Sequence, residues 1–278
     1  MVTNFHLPPI GFGPGSQSGE EGDQLAYMEL PQDMRSYSMH VPDAPADADP
    51  APALAVMTRL AEAAARVATE GGTARTDLAG LDPANRRLMA ETLGEGEVSL
   101  RIYGIPAIRV QESVFAGVWA LRAEGLDAVE VAAIPGLALE RAFRPRRAAL
   151  GVEAPLTPGV VNAPPLVVEL ADRSAAWAPG AGPHVINLTL LPHTEEDLDW
   201  LDAALGQGSV EILSRGYGNC RISATALPQV WRVRYYNSMD TLILDTIEVS
   251  AIPEVALAAP EDLADSARRL CDVREAIR

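Results

Sequence analysis

Leu93-Gly94-Glu95-Gly96-Glu97-Val98 and Leu205-Gly206-Gln207-Gly208-Ser209-Val210 are two similar stretches that lie 112 residues apart. The same shift aligns further residues in the same order: Arg109 with Arg221, and Val118-Trp119 with Val230-Trp231. Several matched blocks in one order indicate an internal repeat, in which each copy is one supersecondary unit.

Beyond the tryptophans the second copy is six residues longer, and the match then resumes between Glu130-Val131-Ala132-Ala133-Ile134-Pro135 and Glu248-Val249-Ser250-Ala251-Ile252-Pro253. Insertions are tolerated best in turns, so we place the extra residues at a hairpin turn, Asn237-Ser238-Met239-Asp240. The first copy has Glu124-Gly125 at this point, which predicts a shorter turn there.

Each copy begins with a helix that ends at Leu-Gly-x-Gly and continues with apolar, β-branched runs. This pattern predicts a helix followed by three strands, which in the second copy lie at 210–214, 230–236 and 241–249. The predicted fold class is α+β, with an internally duplicated helix-plus-three-strand unit, an antiparallel sheet or sheets, and a C-terminal helix. Whether the two copies share one sheet or form separate lobes stays open.

The rest of the chain is organised around these two copies. We divide it into a flexible, acidic, Pro/Gly-rich arm at 1–50, an N-terminal lobe at 51–140 with the first repeat (82–135), a linker at 141–165, and a C-terminal lobe at 166–278 with the second repeat (194–253) and a terminal helix.

The chain has 278 residues, a formal net charge of -16 and no lysine. This charge would repel a nucleic-acid backbone or an anionic membrane surface, so neither is an expected partner. No apolar run is long enough to span a bilayer, and the N-terminus lacks the pattern of a signal peptide, so we expect a cytoplasmic protein. Cys220 and Cys271 are the only two cysteines, which excludes a disulfide framework and a four-cysteine metal site within one copy.

One stretch differs from a packing pattern: Ser214-Arg215-Gly216-Tyr217-Gly218-Asn219-Cys220-Arg221-Ile222-Ser223. Its glycines predict a loop whose backbone N–H groups can approach a ligand or a peptide. No helix start follows, so it does not match a phosphate- or dinucleotide-binding loop. A neighbouring guanidinium would favour a reactive Cys220 thiolate, whereas the alternative interpretation is a partly buried structural cysteine.

The sequence has no recognisable reaction centre. Its histidines (His6, His40, His184 and His193) are scattered without metal-site spacing, and it contains no nucleophile elbow or Walker loop. We therefore assign no catalytic, cofactor-binding or metal-binding residue. Trp119 and Trp231 are expected in the core. The candidate partner-binding residues are Arg215, Tyr217, Asn219, Cys220, Arg221, Tyr236, Asn237 and Ser238.

These strings resemble the HupH/HyaF family of nickel–iron hydrogenase accessory proteins. The resemblance rests on 93–98, 111–119 and 185–192, and above all on Ser214 to Ile222 continuing to Trp231-Arg232-Val233-Arg234-Tyr235-Tyr236-Asn237-Ser238. It covers most of the chain from about Asp82 onward, while the N-terminal arm matches only loosely.

The resemblance implies a non-catalytic accessory protein, or chaperone, in maturation of an uptake hydrogenase. It implies action with the precursor of the small, iron–sulfur-bearing subunit before that subunit is exported, with other maturation proteins as further candidate partners. No cofactor comes with it.

Two alternatives stay open at this point. The first is an iron–sulfur or redox carrier in which Cys220 from two copies supplies thiolates, which would require a homodimer. The second is an enzyme that uses the loop from Arg215 to Arg221, which would require a pocket with convergent polar groups at that loop.

Overall fold

A computed structural model of the protein describes residues 41–42, 48–216 and 219–277. The arm predicted at 1–50 therefore lies mostly outside the described residues. Within the described ranges the chain forms six α-helices: α1 (Ala51–Glu70), α2 (Pro83–Leu93), α3 (Gly136–Arg141), α4 (Ala163–Ala176), α5 (Glu195–Leu205) and α6 (Pro260–Ala276). No helix in these ranges has the length and hydropathy needed to cross a bilayer.

The strands form a single ten-stranded sheet in which every neighbouring pair is antiparallel. In chain order they are β1 (Thr73–Asp77), β2 (Val98–Ile102), β3 (Ile108–Glu112), β4 (Val118–Ala123), β5 (Leu126–Ala132), β6 (His184–Asn187), β7 (Val210–Ser214), β8 (Asn219–Ala224), β9 (Val230–Tyr236) and β10 (Leu242–Val249). Their order across the sheet is β1-β5-β4-β3-β2-β7-β8-β9-β10-β6.

The α+β class, the antiparallel sheet and the C-terminal helix are confirmed. The predicted unit of three strands has one strand too few. The structure has four strands after each helix: β2 to β5 after α2, and β7 to β10 after α5. The missed strand of the second unit is β8, part of the stretch that we interpreted as a loop. Its alternation of buried Cys220, Ile222 and Ala224 with more exposed residues is a strand pattern, which the preceding glycines concealed.

Both units lie in one sheet, because β2 pairs with β7 at its centre. This answers the question that the sequence left open. Residues 112 positions apart also make matching hydrogen bonds. Val114 N donates to Leu93 O over 2.8 Å, as Ala226 N does to Leu205 O over 3.0 Å.

The two glycines of the Leu-Gly-x-Gly motif are required for different structural reasons. Its first glycine ends the helix with a positive φ, 54° at Gly94 and 65° at Gly206, which favours glycine. Its second glycine allows close backbone approach, since a Cβ would lie 2.2 Å from Ser113 O at Gly96 and 2.3 Å from Ala142 O at Gly208. The motif therefore turns the chain from each helix into the central pair of strands.

Trp119 and Trp231 are fully buried, as predicted. Each indole N–H donates to a backbone carbonyl of the last strand in its unit or just beyond it, Trp119 Nε1 to Ala132 O over 2.8 Å and Trp231 Nε1 to Ser250 O over 3.3 Å. Both rings belong to one apolar cluster that also contains Leu100 and Ile212. The cluster joins the two units across one face of the sheet.

The helices cover only the two ends of the other face. There α1 packs against α6 and β5, while α4 packs against α5 and β10. Between them, outward-facing side chains of β2, β3, β7 and β8 are exposed or half-buried: Ser99, Arg101, Arg109, Gln111, Glu211, Leu213, Arg221 and Ser223. We call these residues the open face.

The stretch that we interpreted as a linker is bonded to the second unit. Arg146 Nη2 donates to Glu211 Oε1 over 3.0 Å, and Arg147 Nη2 donates to Asp202 O over 2.7 Å. At its end, Asp197 Oδ1 accepts hydrogen bonds from three successive backbone N–H groups, those of residues 161–163. These contacts hold the segment that leads into α4.

Candidate functional site

The candidate residues lie on two neighbouring hairpins, formed by β7 with β8 and by β9 with β10. One turn follows β7 at Arg215, and the other connects β9 to β10. Because β8 and β9 are antiparallel, Asn219 at the start of β8 lies directly opposite Tyr236 at the end of β9. The two turns are therefore neighbours. We call this region the hairpin surface, defined by Arg215, Asn219, Arg221, Tyr236, Asn237 and Ser238; Tyr217 lies outside the described residues.

Cys220 faces the core and is only 2% exposed. Burial raises the pKa of its thiol to about 11, a rise that a hydrogen bond with Tyr235 opposes and the nearby Glu248 carboxylate adds to. This direction is the opposite of what a thiolate beside Arg221 would show. A buried, protonated thiol is a poor ligand for a cluster shared between two copies.

Arg221 lies on the opposite face of β8 from Cys220 and is exposed. Its guanidinium carbon is 4.8 Å from the centre of the Tyr236 ring, so the two side chains stack. A guanidinium over an aromatic ring can still donate its N–H groups to an acceptor. Cys220 and Arg221, which the sequence analysis placed together among the candidate partner-binding residues, therefore lie on opposite faces of β8.

Asn237 shapes its own turn. Its Oδ1 accepts hydrogen bonds from the backbone N–H groups of Met239 and Thr241, each over 2.9 Å. Asp240 has a φ of 55°, as the hairpin requires there. The side-chain oxygen of Asn237 is therefore used within the turn, and Ser238 at the tip is exposed.

Apolar side chains next to the hairpin surface were missed in the sequence. Met239 is 83% exposed at the turn, and Ile243 is 56% exposed on β10. A signal existed, since Leu242-Ile243-Leu244 is a run of three apolar residues and a strand cannot turn all three toward one core. We call Met239 and Ile243, which follow Tyr236 in the β9–β10 hairpin, the apolar tip.

The first part of β10 is not paired with β6, although the 3-10 turn Leu188–Leu190 packs against β10. β6 pairs only with the last four residues of β10, from Thr246 to Val249. The N–H group of Asp245 is bonded to Thr189 Oγ1 over 2.8 Å, and in the described part of the chain residues 242–244 have no strand neighbour on that side. An exposed edge with apolar side chains is a site at which another polypeptide can add a strand.

A buried carboxyl with a strongly raised pKa, Glu112, lies elsewhere, on β3. Burial raises the pKa of Glu112 to about 7, and Glu97 and Asp262 add to the rise, whereas the hydrogen bond from Gly117 N opposes it.

The surface has two grooves of note. Residues of α2, β4 and β5 line the first, and residues of α4 line the second. Neither includes a residue from 214–223. Among the described residues, no three potential metal ligands of the His, Cys, Asp or Glu type come together.

Comparisons with known proteins agree on one family. The family described as "HupH hydrogenase expression protein, C-terminal conserved region" matches residues 51–143 and 160–277. The chain is 61% identical to the hydrogenase expression/formation protein HupH of Rhodobacter capsulatus, with all of both chains covered. It is 37% identical to the hydrogenase-1 operon protein HyaF of Escherichia coli, with 73% of each chain covered.

A solved structure is also similar in sequence. The hydrogenase expression protein HupH from Thiobacillus denitrificans is 33% identical to this chain. The match covers 41% of this chain and 95% of that chain, with a TM-score of 0.38.

Proposed function

This chain belongs to the HupH hydrogenase expression protein family, and from that membership we propose that it is a non-catalytic, cytoplasmic accessory protein in the maturation of a nickel–iron uptake hydrogenase. Its relatives carry the names of hydrogenase expression/formation proteins, which supports the accessory role. The finer proposal is that it acts as a chaperone that binds the precursor of the small, iron–sulfur-bearing subunit before export.

The observation that carries the binding role is the hairpin surface with its apolar tip. Exposed Met239 and Ile243 follow the Arg221–Tyr236 pair along the β9–β10 hairpin, and in the described part of the chain residues 242–244 have no strand neighbour on their outer side. Apolar anchors, an aromatic ring, a guanidinium and unused backbone groups are the features with which proteins bind an extended segment of another chain. An incompletely folded subunit offers such segments, because its strands have not yet found their own partners.

The contacts at this surface also divide the candidate residues by role. Arg221, Tyr236 and Ser238 are proposed to contact the partner. Asn237 is proposed to hold the turn, and Cys220 to fill the core behind it, since its thiol is buried and protonated at neutral pH.

Co-purification tests this proposal. The tagged full-length protein is isolated from cells that produce the hydrogenase and from cells that lack its small subunit, and bound proteins are identified by mass spectrometry. We expect the small-subunit precursor in the first preparation. The proposal fails if the partners are the same in both preparations.

A pair of matched variants locates the binding surface. Met239→Ser with Ile243→Ser removes the apolar tip, whereas Leu139→Ser with Val152→Ser removes two exposed apolar side chains elsewhere. We expect recovery of the precursor to fall about tenfold for the first variant, equivalent to about 1.4 kcal/mol, and to be unchanged for the second. Equal recovery with both variants would assign binding to another surface.

A further inference from the structure

Three arginines lie in register on neighbouring strands, two of them on the open face and the third on the adjacent strand β4. Arg101 of β2 pairs with Arg109 of β3, and Arg109 pairs with Arg122 of β4. All three side chains are exposed. Strands are about 4.8 Å apart, so this arginine row (Arg101, Arg109 and Arg122) spans about 10 Å.

Like charges directly opposite each other destabilise a sheet. Acidic residues flank the row in register, Glu211 next to Arg101 and Asp127 next to Arg122. Both carboxylates are engaged by other groups, Glu211 by Arg146 and by the Tyr103 hydroxyl, and Asp127 by Arg86. Among the residues that the structure describes, none makes an ion pair with a member of the row. Three guanidinium groups thus concentrate positive charge on a chain of net charge -16.

A groove of about 620 Å³ begins at one end of the row, between α2 and the β4–β5 hairpin. Its lining is mostly apolar. The charged residues in it are Arg86, Arg87, Arg122 and Asp127, of which Asp127 is paired with Arg86. The apolar lining consists of leucine, alanine and proline side chains: Leu78, Leu81, Pro83, Ala90, Leu93, Ala120, Ala123 and Leu126.

The corresponding place in the second unit is filled. Ala90 and Ala120 correspond, at the spacing of 112, to Asp202 and Arg232. Arg232 lies between two carboxylates there, bonded to Asp202 and doubly to Asp245, with distances of 3.0 and 2.6 Å to the latter. Two small residues in the first unit therefore leave the space that the Arg232 side chain and its carboxylate partner occupy in the second.

We propose that the arginine row and this groove form a docking site for a short acidic segment of a partner protein that carries an apolar side chain. The carboxylates would pair with the row, and the apolar side chain would enter the groove. Charge complementarity favours this occupant, because guanidinium groups bind carboxylates with paired hydrogen bonds. A nucleic acid or an anionic membrane would extend beyond the row onto acidic surface and be repelled. The site is distinct from the hairpin surface and does not depend on which protein binds there.

Fluorescence anisotropy with defined probes tests the site. The probe is the labelled peptide acetyl-Gly-Glu-Ser-Glu-Leu-Glu-Ser-Gly, and it is compared with one peptide in which Gln replaces each Glu and another in which Ser replaces Leu. The full-length protein should bind the first peptide more tightly than either of the others. Binding should weaken as salt is added, because the contacts are between exposed charges. Equal binding of the Gln peptide overturns the proposal.

Three paired variants separate the row from the groove. Arg101→Gln with Arg109→Gln removes two charges of the row that lie outside the groove lining, and Arg59→Gln with Arg66→Gln makes the same change in charge on the exposed side of α1. We expect the first to weaken peptide binding about tenfold or more, and the second to change it less than about twofold. Ala90→Asp with Ala120→Arg copies the second unit's pair into the groove at constant net charge, and should abolish the preference for Leu over Ser.

Thermal unfolding and light scattering accompany each variant. The row variant should melt no lower than the parent, because repulsion between like charges has been relieved. The proposal is overturned if the row variant binds the peptide as the parent does. It is also overturned if the parent ignores the peptide and instead forms dimers that the row variant loses, since a second copy would then occupy this face.

Discussion

Leu100 of β2 and Ile212 of β7 lie directly opposite each other in the sheet, and they are also equivalent residues of the two units, 112 positions apart. The pairs on either side, Val98 with Ser214 and Ile102 with Val210, exchange under the same shift. The two units are thus related by an approximate two-fold axis through the centre of the sheet. Each unit closes the edge strand that the other would expose, which removes an aggregation-prone edge.

Truncation at this axis should be costly. Leu100 is buried in the cluster that spans both units, so Leu100→Ala leaves a cavity that affects both. We expect the free energy of unfolding to fall by about 2 to 4 kcal/mol, measured by urea denaturation in one cooperative transition. Leu242→Ala, at an exposed position, should change it by less than about 0.5 kcal/mol. Two separate transitions in the parent would contradict a shared core.

Asp197 should make the free energy of unfolding decrease at low pH. Burial opposes ionisation, but hydrogen bonds from the backbone N–H groups of Ala163, Val161, Thr194 and Asn162 outweigh it and lower the pKa to about 2 from 3.8. A lowered pKa contributes stability above 3.8 that is lost as pH falls through 2. Asp197→Asn should therefore cost about 2 kcal/mol at neutral pH and little near pH 2, in urea melts across this range. A constant difference at all pH values would assign the loss to packing.

Glu112 should have the opposite pH dependence. Its pKa rises from 4.5 to about 7, so the folded state favours the protonated form. The resulting stability is present below 4.5 and lost as pH rises through 7. Glu112→Gln, which keeps the acceptor for Gly117 N, should be more stable than the parent by up to about 3 kcal/mol at alkaline pH, and equal to it near pH 4. Parallel stability curves for the two proteins would show that the carboxyl has the same pKa in the folded and unfolded states.

Cys220 should react slowly in the folded protein. Its thiol is buried with a pKa of about 11, whereas Cys271 on α6 is partly exposed. At about pH 8, timed alkylation followed by mass spectrometry should label Cys271 first, and Cys220 only after unfolding. A Cys271→Ser variant should take up almost no reagent until denaturant is added. Rapid labelling of Cys220 would instead support the redox-carrier alternative.

Much of the local structure could be predicted from the sequence. The helix ends at Gly94 and Gly206, the burial of Trp119 and Trp231, and the hairpin at 237–240 all follow from residue types at fixed spacings. β8 was missed because Gly216 and Gly218 indicate a loop, although the residues that follow alternate as a strand does. The role of Cys220 was ambiguous for the same reason, since its face depends on where the strand begins.

The arginine row illustrates what the sequence does not contain. Arg101, Arg109 and Arg122 each stand between or beside apolar residues in a separate strand, which indicates an outward direction for each. That they face one another depends on the register of three strands, and that register is set by turns and by packing against a distant core. The groove beside them depends further on how α2 lies over the β4–β5 hairpin.

The sequence by itself determined the duplicated order of elements, the points at which helices end, and the family, because these depend on side chains close together along the chain. Only the tertiary structure decided that β2 and β7 join the units into one sheet, and which side chains stay exposed on it. The physical reason is that the pairing of β2 with β7 joins residues more than a hundred positions apart, as with Leu100 and Ile212. The alternation of apolar and polar residues specifies the faces of a strand but not its neighbours.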